Sequence, residues 1–469
     1  MEIIPALKSG IVHFRRKLSQ LEKLAAVVVL AIMAFLPCLE VLSREILHTS
    51  ITGSIVTVQH LTLWIGFIGA MLASREGRLL TLTGDTALLR ERWGNWTGIP
   101  ADLVAIGVTV TLAVASYNLM TIEHAYPRPI VGPIQVWMAQ LIMPLGFGVM
   151  AWRILYRSNP SWKYRLAIVG GVLVLAYLGI GLDLQGTGAI YLGFVLLLSA
   201  AISGAPIFVI LGGAAILLFW NDWGVLAAIP AETYRIVVHP MLPTIPLFTL
   251  AGYFLAESGA SQRLVRLFRA WFGWIPGGTP VVTVLVCAFF TSFTGGSGVT
   301  ILALGGLLFP MLLKENYSAK FSTGLLTASG SLGLLFPPSL PVILYGIRSH
   351  TPIDELFKAG ILPGLVLVSL VALWGVRQGI VDRLKPTPFK LKEAWDSLWE
   401  AKWEVVIPVI ILVGIFGGMT TIVEAAAITA TYTLLVEVFI YRDLKLKSDA
   451  VRTVVEAATL IGGVMIIMG

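Results

Sequence analysis

Long apolar runs organise this chain, in place of the alternation of a half-buried strand or the narrow stripe of a surface helix. Runs at 24–42, 55–73, 101–122 and 134–155 each approach the ~20 residues that a helix needs to cross a ~30 Å hydrocarbon core. A further run lies at 166–182, then a close pair at 188–203 and 206–220. The pattern continues with 245–258, 359–376, 405–418 and 422–440, and one more run begins near 450. Amphipathic stretches lie between them. The first is a basic lead-in at 13–23, followed by 229–241 with Glu232, Arg235 and His239. At 262–272 arginines occupy one face and Leu, Phe and Trp the other, and at 391–403 Trp395, Trp399 and Trp403 recur every four residues. Such stretches suit a membrane surface. The pattern predicts an all-α polytopic membrane protein.

Two runs are broken from within. The run 281–313 is interrupted at 294–298 by Thr-Gly-Gly-Ser-Gly. Each arm then has a dozen or so helical residues, a rise of ~18 Å, too short to cross. Arg263, Arg266 and Arg269 precede the run and Lys314 and Lys320 follow it, so the positive-inside rule places both ends on the cytoplasmic side and predicts a re-entrant hairpin. The next run, 321–347, carries Ser329-Gly330-Ser331 and Phe336-Pro337-Pro338-Ser339, which predict a helix unwound midway. Irregular backbone at membrane depth is tolerated only where protein or a polar cavity surrounds it. Adjacent breaks therefore point to a site.

Composition agrees with the bilayer as solvent: 57% of residues are hydrophobic and 13% charged, with a mean hydropathy of +0.86. The net charge of +7 resides in loops at span ends, and no nucleic-acid signal accompanies it. Arg75, Arg78, Arg90 and Arg92 lie between the second and third runs, and Arg153, Arg157, Lys163 and Arg165 follow the fourth, so a four-helix unit begins and ends inside. The run 24–42 lacks a small-residue cleavage site and reads as a first span, with the N-terminus cytoplasmic. The run 166–182 restores parity, because Asp183, Asn221 and Asp222 mark the outer ends of the following pair. Three regions result: a four-helix unit at 1–157, a linker with a connecting helix at 158–187, and a larger unit at 188–469. Cys38 and Cys287 read as packing residues.

Chemically, the breaks offer oxygen without charge. The only ionisable residues between Thr291 and Ser339 lie in the connector 314–320. Hydroxyls and freed carbonyls suit a hard cation such as Na⁺, and half-helix N-termini suit a carboxylate. The candidate Na⁺ contributors are Ser292, Gly296, Ser331, Gly333, Pro337 and Ser339. The candidate substrate contacts are Ser297, Gly298, Thr300 and again Ser339. The competing reading is that Gly and Ser simply allow close helix packing. Glu424, near a helix start, is either a functional carboxylate or a helix N-terminal residue.

The stretches FTGGSGVT at 293–300, GLLTASGSLGLLFPPS at 324–339 and AGILPG at 359–364 resemble the large membrane subunit of tripartite ATP-independent periplasmic (TRAP) transporters, as do PLFTLAG at 246–252 and TTIVEAAA at 420–427. The four-helix unit, with SREGR at 74–78, resembles the small membrane subunit, so the chain reads as a fusion of the two. The resemblance implies a Na⁺-coupled importer of small organic acids in the bacterial inner membrane, fed by a periplasmic solute-binding protein. It also implies a second hairpin and further spans beyond Gly469, where the sequence stops inside an apolar run.

Other classes fit less well. The runs hold no paired Asp, no H-E-x-x-H and no Ser and His pairing, which speaks against an enzyme, and no phosphate loop occurs for an ATP-driven pump. An ion-coupled anion transporter or channel-like permease working without a binding protein is the nearest alternative.

Overall fold

The computed structural model describes residues 3–82, 98–158, 161–181, 188–222, 224–383 and 388–469. Helix dominates them. In order come α1 (Ile3–Leu42), α2 (Ser54–Glu76), α3 (Ile99–Ala125), α4 (Val136–Gln140), α5 (Ile142–Ser158), α6 (Trp162–Gly181), α7 (Ala189–Ile202), α8 (Ile207–Asn221), α9 (Ala228–Val237) and α10 (Thr244–Glu257). There follow α11 (Ala260–Phe272), α12 (Gly278–Thr294), α13 (Ser297–Lys314), α14 (Ala319–Ser329), α15 (Leu340–Ser349), α16 (Ile353–Val381), α17 (Leu391–Glu400), α18 (Lys402–Phe416), α19 (Ile422–Leu435) and α20 (Val451–Met468). Among the described residues eight helices are long and apolar enough to cross a membrane, and one further pair, Ala319–Leu335 with Leu340–Ser349, passes as a span bent by 43°. The chain is an all-α polytopic membrane protein, as the apolar runs predict. Arg90, Arg92, Asn159, Pro160, Asp183 and Lys385 lie outside the described residues.

One boundary is corrected. The fourth span does not begin at Ile134, because Ile134–Gln135 pairs antiparallel with Pro129–Val131 in a two-stranded ribbon. Gly132 turns with φ +55°, and helix begins only at Val136. Pro129 and Pro133 lack the N–H that helix would need there.

The chain divides into two compact units: Met1–Val29, Thr52–Pro240 and Ala458–Gly469 form the first, and Leu30–Ile51 and Met241–Ala457 the second. In the first unit α5 packs against both α3 and α2. A Cβ on Gly146 would stand 2.5 Å from the Phe67 ring, which itself meets Phe147 edge-on at 5.0 Å. The crossing of α2 and α20 is tighter. A Cβ at Gly69 would lie 2.0 Å from the Ala458 carbonyl oxygen, and one at Gly462 2.0 Å from the Ala70 nitrogen. Small residues let helices approach where lipid offers no hydrophobic driving force of its own.

In the second unit α12 is surrounded by α10, α11, α13, α14 and α16. Glu424 forms a capping box at the start of α19. Its carboxylate accepts the Thr421 N–H at 2.7 Å, the Thr421 hydroxyl accepts the Glu424 N–H at 3.2 Å, and its other oxygen meets Arg44 at 2.8 Å. This carboxylate is thus occupied in starting a helix. On α11, Arg266 and Arg269 stay exposed and pair with Glu400 and Glu315 at 2.6 and 2.7 Å. Arg263 departs from the single polar face expected of the three. It is buried, and its guanidinium reaches Glu404, Glu437 (2.8 Å) and Asp443 beneath the Tyr441 ring. Three acids supplied by distant parts of the chain hold it inward. The Trp stripe is also split: Trp395 and Trp399 lie exposed on α17, while Trp403 belongs to α18.

Candidate functional site

The tip between α12 and α13 is made by two glycines. Gly295 adopts φ +64° and donates its N–H to the Thr291 carbonyl, while Gly296 is extended at φ −143°. A left-handed residue at this position ends a helix cleanly, and glycine bears it without steric penalty. The feet of the two arms meet as well: the Thr279 hydroxyl donates to the Glu315 carboxylate, which also accepts from Arg269. The chain therefore doubles back on itself. The arms are nevertheless longer than the sequence suggested, at 17 and 18 residues, a rise of about 26 Å each at ~1.5 Å per residue. By length and composition α13 could cross a membrane. Joined feet and a tight turn, and not short arms, define the hairpin.

Beside it runs the broken helix. Ser318 starts α14 by accepting the Phe321 N–H at 3.2 Å, and α14 ends at Ser329. The chain then passes through a 3₁₀ turn, Leu332–Leu335, and bends through non-helical backbone at 336–339, extended at Phe336 and Ser339, before α15. Pro337 and Pro338 remove two consecutive N–H donors and crowd the preceding turn, which breaks the helix here. Gly333 seats this break on α12: a Cβ there would stand 2.2 Å from the Ala288 carbonyl oxygen and 2.6 Å from the Ser292 nitrogen. From the other side Gly252 of α10 approaches the tip, with space for a Cβ only 3.0 Å from the Thr294 nitrogen.

Three threonines join these pieces. The Thr291 hydroxyl lies 2.7 Å from the Cys287 carbonyl, 2.9 Å from the Thr300 hydroxyl and 3.0 Å from the Gly330 carbonyl of the break. Thr300 in turn lies 2.9 Å from the Thr294 hydroxyl and 3.4 Å from the Gly296 carbonyl. All three threonines are buried. Their three hydroxyl protons serve five oxygen–oxygen contacts, so oxygen exceeds available protons. The buried Ser329 hydroxyl, at the end of α14, has no partner among the described residues. Neutral oxygens in excess, with no carboxylate among them, suit a hard, weakly charged cation and not a transition metal. Among the described residues no cluster of His, Cys, Asp or Glu could hold a metal.

The sequence-assigned residues distribute unevenly around this centre. Gly296 supplies a carbonyl to it, and Thr300, expected to face substrate, instead points its hydroxyl inward to Thr291 and Thr294. Ser292 is buried one residue away and donates to its own helix at the Phe289 carbonyl. Ser339 is buried and donates to the Leu334 carbonyl. Ser331 stands apart: it is exposed and returns its hydroxyl to the Ala328 carbonyl. Ser297 and Gly298 form the first turn of α13, with Gly298 exposed, and Pro337 is half-buried. Ser329 and Gly330 belong to the predicted break whose freed carbonyls suit a cation, whereas Thr291 and Thr294 are not among the sequence candidates. The Thr291 and Thr294 spacing, which puts both hydroxyls on one helix face beside the break, is the signal that could have found them.

The pattern of the tripartite ATP-independent periplasmic transporter DctM component matches residues 191–469. The chain belongs to this family. The DctQ component of the same transporters matches residues 33–163, so one TRAP chain carries both components. It is 34% identical over 270 residues to the C4-dicarboxylate TRAP transporter large permease protein DctM of Vibrio cholerae, covering 56% of this chain and 59% of that protein. It is 28% identical over 419 residues to the isethionate TRAP transporter permease protein DctMQ of Oleidesulfovibrio alaskensis, covering 87% of this chain and 65% of that one. The ectoine TRAP transporter large permease protein TeaC of Halomonas elongata is 33% identical over 272 residues, covering 56% and 62%. The chain thus spans less than two thirds of the length of these TRAP permeases.

Proposed function

We propose that this chain is the membrane part of a secondary importer in the bacterial inner membrane, with its N-terminus cytoplasmic. It couples inward Na⁺ movement to uptake of a small organic anion delivered by a periplasmic solute-binding protein. One observation carries the coupling: the buried threonine centre at Thr291, Thr294 and Thr300, where carbonyls from the hairpin tip and the broken helix converge without any ionisable group. A dehydrated Na⁺ would satisfy the surplus oxygens, which are costly in a low-dielectric surround. A proton relay would need titratable side chains that this centre lacks.

Substrate is read at the other side of the tip. The first turn of α13, at Ser297 and Gly298, and the start of α15 after Ser339 present N–H groups that lack intrahelical partners, a geometry that favours an anionic head. C4-dicarboxylate and isethionate, named for two relatives, share such a head. The deciding experiment reconstitutes the full-length protein with its binding protein and follows labelled C4-dicarboxylate or isethionate under imposed gradients. Uptake should rise with an inward Na⁺ gradient and require the binding protein. Uptake that ignores Na⁺ and follows protons would overturn the coupling, and uptake without a binding protein would overturn the partner.

A further inference from the structure

In the first unit, the N-terminal part of α1 and the C-terminal ends of α2 and α5 enclose a cavity of about 530 Å³. Its walls are of two kinds. Arg75, Arg153 and Arg157 line one part together with Ser19 and Glu76, and Trp152, Tyr156 and Leu18 the other.

The guanidiniums are held in place by the fold and not by a matching number of acids. Arg153 is buried, donating to the Met71 carbonyl and to Glu22. Arg75 donates to Ser19 at 2.6 Å and to Glu22 at 3.3 Å, and lies 3.7 Å from Glu76. Arg157 caps the C-terminus of α2, donating to the Arg75 carbonyl at 2.7 Å and the Ser74 carbonyl at 3.3 Å over Gly77. It meets no carboxylate among the described residues. With Arg78, which pairs with Glu76 at 3.4 Å, three guanidiniums share Glu22 and Glu76, and Arg157 is a fourth beside them. Capping explains one nitrogen of Arg157, but it leaves the guanidinium's remaining donors and the surplus of positive charge unmatched.

We propose that this cavity binds a phosphate group, the phosphodiester of an anionic phospholipid. Basic pockets between spanning helices at a membrane surface favour such head groups, and a guanidinium offers phosphate two parallel donors. The apolar wall selects the lipid form of that chemistry. Trp152 and Tyr156 stand one helical turn apart and exposed on α5, and Leu21 and Leu24 are exposed on α1 just beyond Leu18. Aromatic residues at this depth occupy the head-group boundary, and the leucines continue the surface toward acyl chains.

The test uses the purified full chain in detergent, with native mass spectrometry after adding phosphatidylglycerol or phosphatidylcholine in equal amounts. Phosphatidylglycerol should stay bound and phosphatidylcholine should not. Arg157→Gln should weaken retention about tenfold, the effect of losing a charge-assisted contact, and Arg157→Lys should recover part of it. Arg235→Gln, which removes a cation elsewhere in the same unit, should leave retention unchanged. Trp152→Ala should weaken phosphatidylglycerol while sparing the weak effect of millimolar inorganic phosphate on melting temperature. Equal retention of both lipids, or equal loss in Arg157→Gln and Arg235→Gln, overturns the site. Inorganic phosphate that stabilises the protein as strongly as phosphatidylglycerol overturns the lipid as its source. Melting temperatures in phosphatidylcholine check that each variant is folded, and Arg157→Lys with Trp152→Ala carry the test if Arg157→Gln is not.

Discussion

The second unit buries polar groups in two opposite ways. Around Thr291 it gathers hydroxyls and carbonyls with no formal charge, while around Arg263 it gathers one guanidinium and three carboxylates. The second arrangement is mutually demanding: Arg263, Glu404 and Glu437 are buried together while Asp443 closes the cluster from its exposed edge, so it serves as a rivet. The first is underdetermined, with more oxygens than protons, and can change its contents without losing its frame. On the function proposed above both behaviours are needed, and here they are carried by different chemistry.

Removing the central cation should have the largest effect. Arg263→Met leaves Glu404 and Glu437 buried without a counter-charge, which costs ~3–5 kcal/mol. Folded protein recovered after detergent extraction should fall steeply, and a variant that melts like the parent would show that the cluster is not structural. Arg263→Lys keeps the charge but not the three-way fork and should fall between them.

Next in size is the neutral centre. Thr291→Val preserves shape and removes one hydroxyl, with a change of ~1 kcal/mol in stability. The half-saturating Na⁺ concentration for uptake in the full-length transporter should nonetheless rise about tenfold. Unchanged Na⁺ dependence at normal expression would remove the threonines from the coupling site.

A pH experiment separates the two regions further. Burial and the nearby Glu404 push the Tyr441 phenol above its ordinary value of 10. A raised folded value means that the folded state holds this proton more tightly, so the stabilisation is complete below about pH 10 and is lost as pH climbs through the folded value. Melting temperature should therefore decline above pH 10 in the parent and decline less in Tyr441→Phe. If the two profiles coincide, the phenol is not linked to the cluster. The smallest effect belongs to Ser331→Ala, within ~0.5 kcal/mol in stability and with no shift in Na⁺ titration. A shift as large as that of Thr291→Val would move the cation site to the outer edge of the break.

Much of this was legible because bilayer solvent constrains sequence so strongly. Most unbroken apolar runs became helices within a few residues, although the first is continuous with its basic lead-in from Ile3, and the paired Gly295-Gly296 and Pro337-Pro338 marked the breaks because two such residues in succession disfavour helix. What failed was anything decided by long-range neighbours. Arg263, Arg266 and Arg269 recur every three residues and look alike, yet only Arg263 meets Glu404, Glu437 and Asp443. The Thr291 contact with Gly330 likewise joins segments whose proximity no local period encodes. Arm length was misjudged because Gly278, Thr279 and Pro280 begin the first helix ahead of the apolar run, with the Thr279 hydroxyl satisfied by Glu315, and Ser297 and Gly298 of the break join the second.

The glycine notch between α2 and α20 also sets a timetable. Roughly 390 residues separate Gly69 from Gly462, so at ~5–20 residues per second a ribosome needs roughly 20–80 s after finishing α2 before its partner emerges. Through that interval α2 carries a groove shaped for backbone that its partner helix has yet to fill. The first unit is therefore completed by a helix made long after its other members, and a substitution at Gly69 would be felt as failed biogenesis before it was felt as lost transport.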